Sequence, residues 1–489
     1  MNQFYCDKVV FITGAAGYIG KSILEKLLRS CPQVKKIYVL IRGKHNQSGE
    51  ERLQNILREK FFEKVRCSDN SQDLFAKIVV IDGDITLDGL GITPEKTDIL
   101  KYTVSIVLHV AANVRLNAGL KLLVKGNTEG IRNVLKWSKQ LQHLKAFVYV
   151  STAFSNSHLE EIDEIIYPPT VDPLAVMQLC SSLPAELVDF MAEKLLGKHK
   201  NCYTYSKHLA EYLVHEARFD LPVCIVRPAI VGPADREPFP GWVDNFNGMS
   251  GFIVGMAHGI IRCLYTNKQG ALDVVPLDHV VNLILTAAME ISSKNGKREN
   301  DVIVYNCSNT ENPFAHRKVH PHLYEAYEKT PFNEMLWYPS VAIVRSKIVF
   351  TVLNFLLHYL PALVADGVAT LIGKKPRMLK IYYKVQSLSA ATRDVQRADY
   401  RILTENTKAL YESLDRVDQE CFYFRNADVN LKNYFHNCVY GLKFYLMKEE
   451  QKDLPEARKH FKRMRMLYRA VWGFVYVFVI IWLLAMTFT

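Results

Sequence analysis

The sequence has little that would mark a secreted, metal-binding or nucleic-acid-binding protein. Its ten cysteines are scattered, without the paired spacing of a zinc site or of a small disulfide framework. They indicate reduced thiols in a cytosolic compartment, and we expect no metal site. An apolar strand pattern begins by Val9, which leaves no room for a signal peptide. Internal repeats and low-complexity tracts are absent from the sequence as well.

Both charge signs are abundant, and the basic excess is modest. The 61 lysines and arginines against 50 acidic residues give a formal charge of +11. Because no nucleic-acid-binding motif accompanies this excess, we expect no nucleic-acid partner. An anionic partner, such as the phosphates of a ligand or a membrane surface, is expected instead. The sequence leaves the oligomeric state open.

The first part of the chain alternates apolar strands with amphipathic helices. Continuous apolar strands between helices predict a parallel sheet that is covered on both faces. The fold class expected is therefore α/β, a Rossmann-type doubly wound parallel sheet, followed by a mostly helical C-terminal domain. Six strands are predicted, at 9–12, 36–41, 77–81, 104–110, 146–150 and 223–226.

A dinucleotide-binding fingerprint follows the first predicted strand. Three glycines stand between that strand and an apolar helical pattern, which is the context the fingerprint requires. Glycine allows the tight turn, the close approach of backbone to the pyrophosphate and the close packing of helix on strand. The helix N-terminus would then hold the anionic pyrophosphate. The residues predicted to contact the cofactor here are Thr13, Gly14, Gly17, Tyr18, Ile19 and Gly20.

The end of the second strand predicts the cofactor type. NAD enzymes usually place an acid there for the ribose 2′-hydroxyl, whereas an arginine accommodates a 2′-phosphate. Arg42 and Lys44 follow this strand, and no acid occurs between Lys35 and Gly49. We therefore predict NADPH. The ends of the third and fourth strands add Asp84, Ala111 and Ala112 to the predicted cofactor site.

A reaction centre is predicted where the fifth strand ends and a later helix begins. Ser151 and Thr152 follow the fifth strand, at the edge where open α/β sheets bind ligands. Tyr203 and Lys207 lie four residues apart, on one face of an inferred helix. A cationic lysine is expected to lower the pKa of the tyrosine and make it a proton donor to a carbonyl that accepts hydride. Ser151 or Thr152 would hydrogen-bond the carbonyl oxygen.

These motifs in this order resemble the extended short-chain dehydrogenase/reductases, and in finer detail the fatty acyl-CoA reductases. Residues 428–446 resemble the "sterile" C-terminal domain of that family, so the likeness covers nearly the whole chain. It implies reduction of a long-chain fatty acyl-CoA by NADPH to a primary alcohol, through an aldehyde and two hydride transfers. The matching stretches are 109–115, 149–156, 167–169, 203–211, 225–228 and 273–278.

Two other functions stay open on the residues alone. A membrane-bound hydroxysteroid or sterol dehydrogenase would share the glycine fingerprint, the pair Tyr203 and Lys207, and an apolar segment that anchors it in a membrane. A redox-inactive NADPH-binding scaffold would need only the fingerprint. The sterile-like C-terminal domain argues against the first alternative, and the intact Thr152, Tyr203 and Lys207 argue against the second.

The C-terminal segment predicts a membrane span. Val471 to Thr489 comprises nineteen residues without a formal charge, about the length that crosses a ~30 Å hydrocarbon core. The positive-inside rule keeps the preceding basic segment, and hence the catalytic domain, cytosolic. We expect a tail anchor in the endoplasmic reticulum or the peroxisome. The basic residues are Arg458, Lys459, Lys462, Arg463, Arg465 and Arg469.

A second apolar stretch runs from Ile348 to Ile372. His358, Pro361 and Asp366 interrupt it, and these residues argue against a helix that spans the membrane. It is predicted to be a helical hairpin, either packed within the C-terminal domain or lying on the bilayer.

The length of 489 residues exceeds one ordinary domain. The predicted division is an NADP-binding Rossmann-type reductase domain at 1–295, a connecting region at 296–345, a helical sterile-like domain at 346–450, a basic linker at 451–470 and a transmembrane tail anchor at 471–489.

Overall fold

A computed structural model describes residues 1–44, 46–266, 271–293, 301–397 and 400–487. The chain divides into two compact units that alternate along the sequence. The first unit consists of Met1–Phe239, Asp273–Pro313 and Ala398–Val429, and the second of Pro240–Leu272, Phe314–Arg397 and Asn430–Thr489. This division is interleaved, whereas the five segments predicted from the sequence follow one another. The functional roles given to those five segments stay predictions.

The first unit is built on a seven-stranded sheet in which every pairing is parallel. Its strands lie in the order β3-β2-β1-β4-β5-β7-β12, which is the Rossmann order with the crossover beside β1. The predicted fold class is confirmed. The strands are β1 (Val9–Thr13), β2 (Lys36–Leu40), β3 (Ile78–Ile81), β4 (Ile106–His109), β5 (Ala146–Val150), β7 (Val223–Pro228) and β12 (Ile303–Cys307).

Helices of the first unit bury apolar faces. In the helix Tyr18–Ser30, Ile23, Leu24, Leu27 and Leu28 are fully buried, as their spacing along one helical face predicts. The helices are α1 (Asn2–Tyr5), α2 (Tyr18–Ser30), α3 (Gly49–Leu57), α4 (Glu63–Arg66), α5 (Ser71–Ala76), α6 (Pro94–Thr103), α7 (Leu120–Leu123), α8 (Gly130–Ser138), α9 (Pro173–Ser182), α10 (Ala185–Leu196), α11 (Cys202–Glu216), α13 (Leu277–Ser293), α18 (Glu405–Glu412) and α19 (Arg416–Cys421).

The seventh strand, β12, lies beyond residue 295, where the sequence predicts that the sheet domain has ended. It pairs in parallel with β7 from Ile303↔Cys224 to Cys307↔Pro228. Two short parallel pairs complete the first unit, β8 (Ile230–Gly232) with β11 (Val274–Pro276), and β6 (Glu161–Ile162) with β15 (Arg401–Ile402). The chain therefore returns twice to this unit after leaving it.

The second unit is mostly helical. Its core includes the ring of Phe314, whose centroid lies 5.5 Å from that of Tyr434 and 5.2 Å from that of Phe435. Its strands pair as β9 (Cys263–Tyr265) with β14 (Ala342–Val344) and β10 (Ala271–Leu272) with β13 (Phe314–Ala315). The helices are α12 (Met249–Ala257), α14 (His316–Lys329), α15 (Lys347–Asn354), α16 (Leu360–Leu371), α17 (Met378–Arg397), α20 (Leu431–Gly441) and α21 (Leu454–Thr487).

The prediction of a helical hairpin within residues 348–372 is wrong. A π-helix at Phe355–Tyr359 joins α15 to α16, so that residues 347–371 form one continuous run of helix. The wider turn precedes Pro361, which lacks the amide hydrogen needed for an α-helical bond. The chain reverses only after α16, and the helical partner is α17. In the most apolar window of this run, 6% of the residues are buried.

The basic linker and the predicted span form a single helix, α21. Only Ala457 and Phe461 are buried in it. Residues 451–487 are long and apolar enough to cross a membrane, with a mean hydropathy of 2.2 in their most apolar window. The last two residues of the predicted span, 488 and 489, lie outside the described residues.

Candidate active site

The glycine turn between β1 and α2 is too tightly packed to admit side chains at two of its glycines. Gly14 has a φ of +76°, and a Cβ atom there would lie 2.6 Å from the backbone nitrogen of Ala111. A Cβ atom on Gly20 would lie 2.1 Å from the carbonyl oxygen of Gly14. Side chains at either position are therefore excluded, and the first turn of α2 approaches the turn closely. The helix begins at Tyr18, whose hydroxyl donates to the carbonyl of Gly232 at 2.9 Å.

The predicted site residues at the ends of β1 and β4 lie together. The Thr13 hydroxyl is 2.8 Å from Nδ1 of His109, and it accepts a 3.3 Å hydrogen bond from the backbone N–H of Ala111. Burial and the charge of Lys207 lower the pKa of His109 to about 3, so its ring is neutral. The backbone of Ala111 therefore borders the glycine turn, whereas the cofactor contacts of Ala111 and Ala112 stay a prediction.

The predicted phosphate-binding residues stand at the carboxyl end of β2. Arg42 is 65% exposed, and its Nη1 donates to a carboxylate oxygen of Asp84 at 3.0 Å. Burial raises the pKa of Asp84, but hydrogen bonds from Thr86 and Arg42 outweigh it and leave that pKa below its ordinary value. Lys44 is exposed beside them. The structure thus brings Arg42 and Asp84 into direct contact, whereas Lys44 exchanges backbone hydrogen bonds with Gln47.

Ser151 and Thr152 have different partners although they are adjacent. The Ser151 hydroxyl donates to a carboxylate oxygen of Glu211 at 2.5 Å, and Ser155 donates to the same oxygen at 2.8 Å. Arg227 binds both oxygens of this carboxylate, at 3.0 and 2.7 Å. Burial raises the pKa of Glu211, but Arg227 and Ser151 lower it more, which keeps the carboxylate ionised. Ser151 is therefore held inside a buried ionic network.

The Thr152 hydroxyl donates to the carbonyl oxygen of Pro228 at 3.4 Å and, unlike Ser151, acts on the phenol of Tyr203. Burial raises the pKa of Tyr203 to about 12, and a hydrogen bond with the Thr152 side chain offsets part of that rise. This shift is opposite to the predicted one, because burial of the phenol outweighs any favourable interaction. Asn201 begins α11 by accepting from the backbone N–H of Thr204 at 2.9 Å. That cap places Tyr203 in the first turn of the helix.

Lys207 lies one turn further along α11 and is almost completely buried. Its Nζ donates to the carbonyl oxygen of Val150 at 2.8 Å and to the hydroxyl of Tyr149 at 3.3 Å. Burial lowers the pKa of Lys207 to about 7, and the charge of Glu211 opposes that fall. The Lys207 side chain is thus held at the end of β5, because both of its hydrogen-bond acceptors belong to that strand.

A buried asparagine joins the end of β4 to α11. Asn127 lies in a π-helix at Val124–Glu129 and donates to the Ser206 hydroxyl at 3.0 Å and to the carbonyl of Asn113 at 3.1 Å. Its own side-chain oxygen accepts from the backbone N–H of Asn113 at 2.7 Å. Asn127 therefore fixes the loop after β4 against the helix that carries Tyr203.

Two family models described as "Male sterility protein" match the chain, an NAD-binding model at residues 12–284 and a Sterile model at residues 357–449. Fatty acyl-CoA reductase 1 of Xenopus laevis is 35% identical over 464 residues, which cover 95% of this chain and 89% of that protein. The chain belongs to the fatty acyl-CoA reductase family. The predicted family resemblance is confirmed, and the protein is a nicotinamide-dependent oxidoreductase.

Other relatives agree with this family assignment. Fatty acyl-CoA reductase 1 of Homo sapiens is 34% identical, covering 95% of this chain and 89% of that protein. Fatty acyl-CoA reductase wat of Drosophila melanogaster is 35% identical, covering 96% of this chain and 90% of that protein.

Solved structures agree on the fold. The terminal R domain from the myxalamid PKS-NRPS biosynthetic pathway matches with a TM-score of 0.57 at 18% identity, over 91% of this chain and 93% of that one. The reductase domain of a nonribosomal peptide synthetase from Mycobacterium tuberculosis matches with a TM-score of 0.58 at 17% identity, over 90% and 92%. At these identities the likeness concerns the fold alone.

The sequence did not predict the buried residues that hold the site residues in position. His109, Tyr149, Glu211 and Arg227 occur in the stretches that carry the family resemblance, but the sequence patterns predict no role for them. No sequence signal indicates Asn127. A usable signal existed for Glu211, which continues the Tyr203 and Lys207 spacing by four residues on the same helical face. Among the described residues, no group of three or more His, Cys, Asp and Glu side chains could hold a metal ion.

Proposed function

We propose that this protein reduces a long-chain fatty acyl-CoA to a primary alcohol with two molecules of NADPH. The first reduction gives an aldehyde and free coenzyme A, and the second converts the aldehyde to the alcohol. Each reduction takes up one hydride and one proton. The observation that carries the proposal is the position of Lys207, one helical turn after Tyr203 on α11, where its Nζ donates to the carbonyl oxygen of Val150 at the end of β5. The chain is similar over 95% of its length to a fatty acyl-CoA reductase.

The chain has the residues to hold a dinucleotide. The turn at Gly14 and Gly20 admits no side chain, and the start of α2 offers backbone N–H groups to an anion. Arg42 and Lys44, exposed at the end of β2, support a preference for the 2′-phosphate of NADPH over NADH. When bound, the nicotinamide supplies the hydride.

Tyr203 acts as the general acid in this proposal. Because its pKa is about 12, the phenol is protonated at neutral pH and holds the proton that a reduced carbonyl oxygen needs. Thr152 stabilises the negative charge that develops on the same oxygen by donating a hydrogen bond. Lys207 has a pKa of about 7 and is positioned under β5, where it can bind a ribose hydroxyl and supply charge near Tyr203.

The protein is proposed to be bound to a membrane by α21, with its reductase domain in the cytosol, on the endoplasmic reticulum or the peroxisome. The apolar residues of α21 after Val471 are exposed, as a membrane-spanning helix requires. The basic residues that precede them favour the cytosolic side. The family match and Thr152, Tyr203 and Lys207 speak against the sterol dehydrogenase and scaffold alternatives.

The proposal is tested by an assay of the purified full-length protein with NADPH, NADH and acyl-CoAs of varied chain length. We expect fatty alcohol and free coenzyme A, with two NADPH consumed for each alcohol formed. Oxidation of a sterol without any reduction of acyl-CoA would replace this proposal by the alternative dehydrogenase. An aldehyde as the sole product, with one NADPH consumed, would remove the second reduction from it.

A further inference from the structure

The run of helix formed by α15, the π-helix and α16 carries a continuous apolar surface that the chain leaves uncovered. Side chains along its whole length are exposed, among them Ile348 at 78%, Val364 at 57% and Leu371 at 88%. Within α15, all of whose residues the structure describes, none is buried. Folded proteins rarely expose so extended an apolar face unless another surface binds it. This excludes the prediction that the stretch is simply packed within its domain.

The other side of the same helix is packed within its own unit. His358, in the middle of the helix, accepts a 2.8 Å hydrogen bond from the backbone N–H of Arg262. The ring of Phe350 stacks on that of Tyr265, with centroids 5.5 Å apart. Tyr265 ends β9, which forms a two-stranded sheet with β14. A small open sheet beside the helix midpoint cannot lie in hydrocarbon, where its unpaired edges would find no partners. The helix therefore does not cross the bilayer.

Polar groups on this inner side are satisfied within the unit. The Asp366 carboxylate accepts hydrogen bonds from the backbone N–H groups of Arg377, Met378 and Leu379, between 2.8 and 2.9 Å, where α17 begins. The Asn354 side chain bonds the Tyr382 hydroxyl at 3.0 Å. These contacts join α15 and α16 to α17, on the side of the helix away from the apolar surface. The result is a helix with one packed side and one apolar side.

The charge around the apolar surface has one sign. Asp366 is the only acid between residues 345 and 384, and its charge faces the N-terminus of α17. Such a combination of apolar face and basic border is typical of helices that lie in the interface of a membrane with anionic lipids. The basic residues in this segment are Arg345, Lys347, Lys374, Lys375, Arg377, Lys380 and Lys384.

We propose that the apolar surface of residues 347–372, with its basic border, binds the interfacial region of an anionic phospholipid bilayer. The helix would lie parallel to the membrane plane and insert its exposed side chains to about the depth of the headgroup and acyl boundary, roughly 5–10 Å. This contact is separate from the span in α21, and it does not depend on the proposed reaction. It would hold the second unit against the surface in which long-chain acyl groups are dissolved.

The test uses the full-length chain, so α21 holds every variant in the vesicle and the contact must be measured at one position. Phe355 on the apolar surface is replaced by the photoreactive p-benzoylphenylalanine. Phe219 in the first unit serves as the matched control, because its exposure of 54% is close to the 51% of Phe355. After irradiation in phosphatidylcholine vesicles with or without phosphatidylserine, phospholipid adducts are measured by mass spectrometry.

We expect several-fold more phospholipid adduct at position 355 than at 219, with a further gain when phosphatidylserine is present. Lys374→Gln with Lys375→Gln should reduce that gain, by roughly fivefold for each charge removed. Retained reductase activity shows that a variant is folded, and a Val364 replacement by the same photoreactive residue repeats the measurement at a second position. Equal adduct yields at 355, 364 and 219 would overturn the proposal. Adducts mainly with a second copy of the chain, or with acyl-CoA, would overturn it too.

Discussion

At the scale of single residues, the two hydroxyls after β5 have distinct environments. Ser151 donates to the buried Glu211 carboxylate, whereas Thr152 donates to the carbonyl oxygen of Pro228 and partly offsets the raised pKa of Tyr203. Thr152→Ala should therefore lower kcat by about 10²-fold, the usual effect of removing a donor to a developing oxyanion. Ser151→Ala removes a structural hydrogen bond and should cost about 1–3 kcal/mol of unfolding free energy, with a smaller loss of kcat. Kinetics and urea unfolding of both variants check this, and equal effects on kcat would contradict it.

Tyr203 is the proposed source of the proton. Tyr203→Phe keeps the half-buried ring but removes the acidic hydroxyl, so we expect turnover to fall by about 10²-fold or more. NADPH binding should survive, since the change does not affect the glycine turn. Steady-state rates and cofactor titration of the same preparation separate the two effects. More than half of the original activity in this variant would remove Tyr203 from the mechanism.

Arg42 is the residue proposed to distinguish the two nicotinamide cofactors. Arg42→Ala should weaken NADPH binding by about 1.5–3 kcal/mol, the range for hydrogen bonds to charged groups, and leave NADH almost unchanged. Arg58→Ala provides a control, because Arg58 is also basic and exposed, directly after α3. Binding constants for both cofactors are measured by fluorescence titration. An unchanged ratio of the two constants would show that Arg42 does not bind the phosphate.

At the scale of elements, α11 organises the site from one helical face. Tyr203, Lys207 and Glu211 follow at intervals of four residues, and all three act on the end of β5, at Thr152, Val150 and Ser151 respectively. Through Glu211 the helix is tied to Ser151 after β5 and to Arg227 in β7. Arg227 in turn donates to the carbonyls of Asp163 and Ile165. The buried ion pair thus fixes the surroundings of Thr152 without contacting the reacting atoms.

Removing the charge of Glu211 should destabilise this element strongly. Glu211→Gln leaves the Arg227 guanidinium buried without its counter-charge, which typically costs about 3–5 kcal/mol. Glu216→Gln at the exposed end of the same helix should change the unfolding free energy by less than about 0.5 kcal/mol. Urea unfolding of both variants gives the comparison. Equal stability of the two would show that the ion pair does not hold the site together.

At the scale of the whole molecule, α21 is the element that differs most from the folded units. It is a single helix from Leu454 to Thr487, in which only Ala457 and Phe461 are buried. Its first part is basic and its last part apolar, as expected for a helix that passes from a membrane surface into the bilayer. The apolar part of α21 after Val471 is exposed and contributes no buried residue to a core.

Truncation before Arg469 should release the protein from integral membrane attachment, because it removes the segment long enough to span the bilayer. Peripheral binding should persist through residues 347–372 and the remaining basic residues. Carbonate extraction of both forms, with protease protection of intact vesicles, is the measurement. Full-length protein that carbonate washes off would eliminate the anchor. Protection of the reductase domain from protease would reverse the proposed orientation.

The sequence by itself determined the features that are local along the chain. Runs of β-branched and aromatic residues identified six of the seven strands of the large sheet, and β5 was predicted with its observed bounds. The glycine turn and the pair Tyr203 and Lys207 were equally visible, because their spacing follows from the geometry of one turn and one helix. Family resemblance then indicated the type of reaction, which the comparisons confirm.

Only the tertiary structure decided which distant residues meet. β12 joins the sheet after an excursion of the chain, and Glu211, Arg227 and Ser151 form one network from three separate segments. Burial, which sets the pKa values of Tyr203 and Lys207, likewise depends on all the elements packed around them. Periodicity reports which face of an element is apolar, but not which surface covers it. For that reason residues 347–371 could be predicted as apolar and helical, while their exposure became visible only in the folded chain.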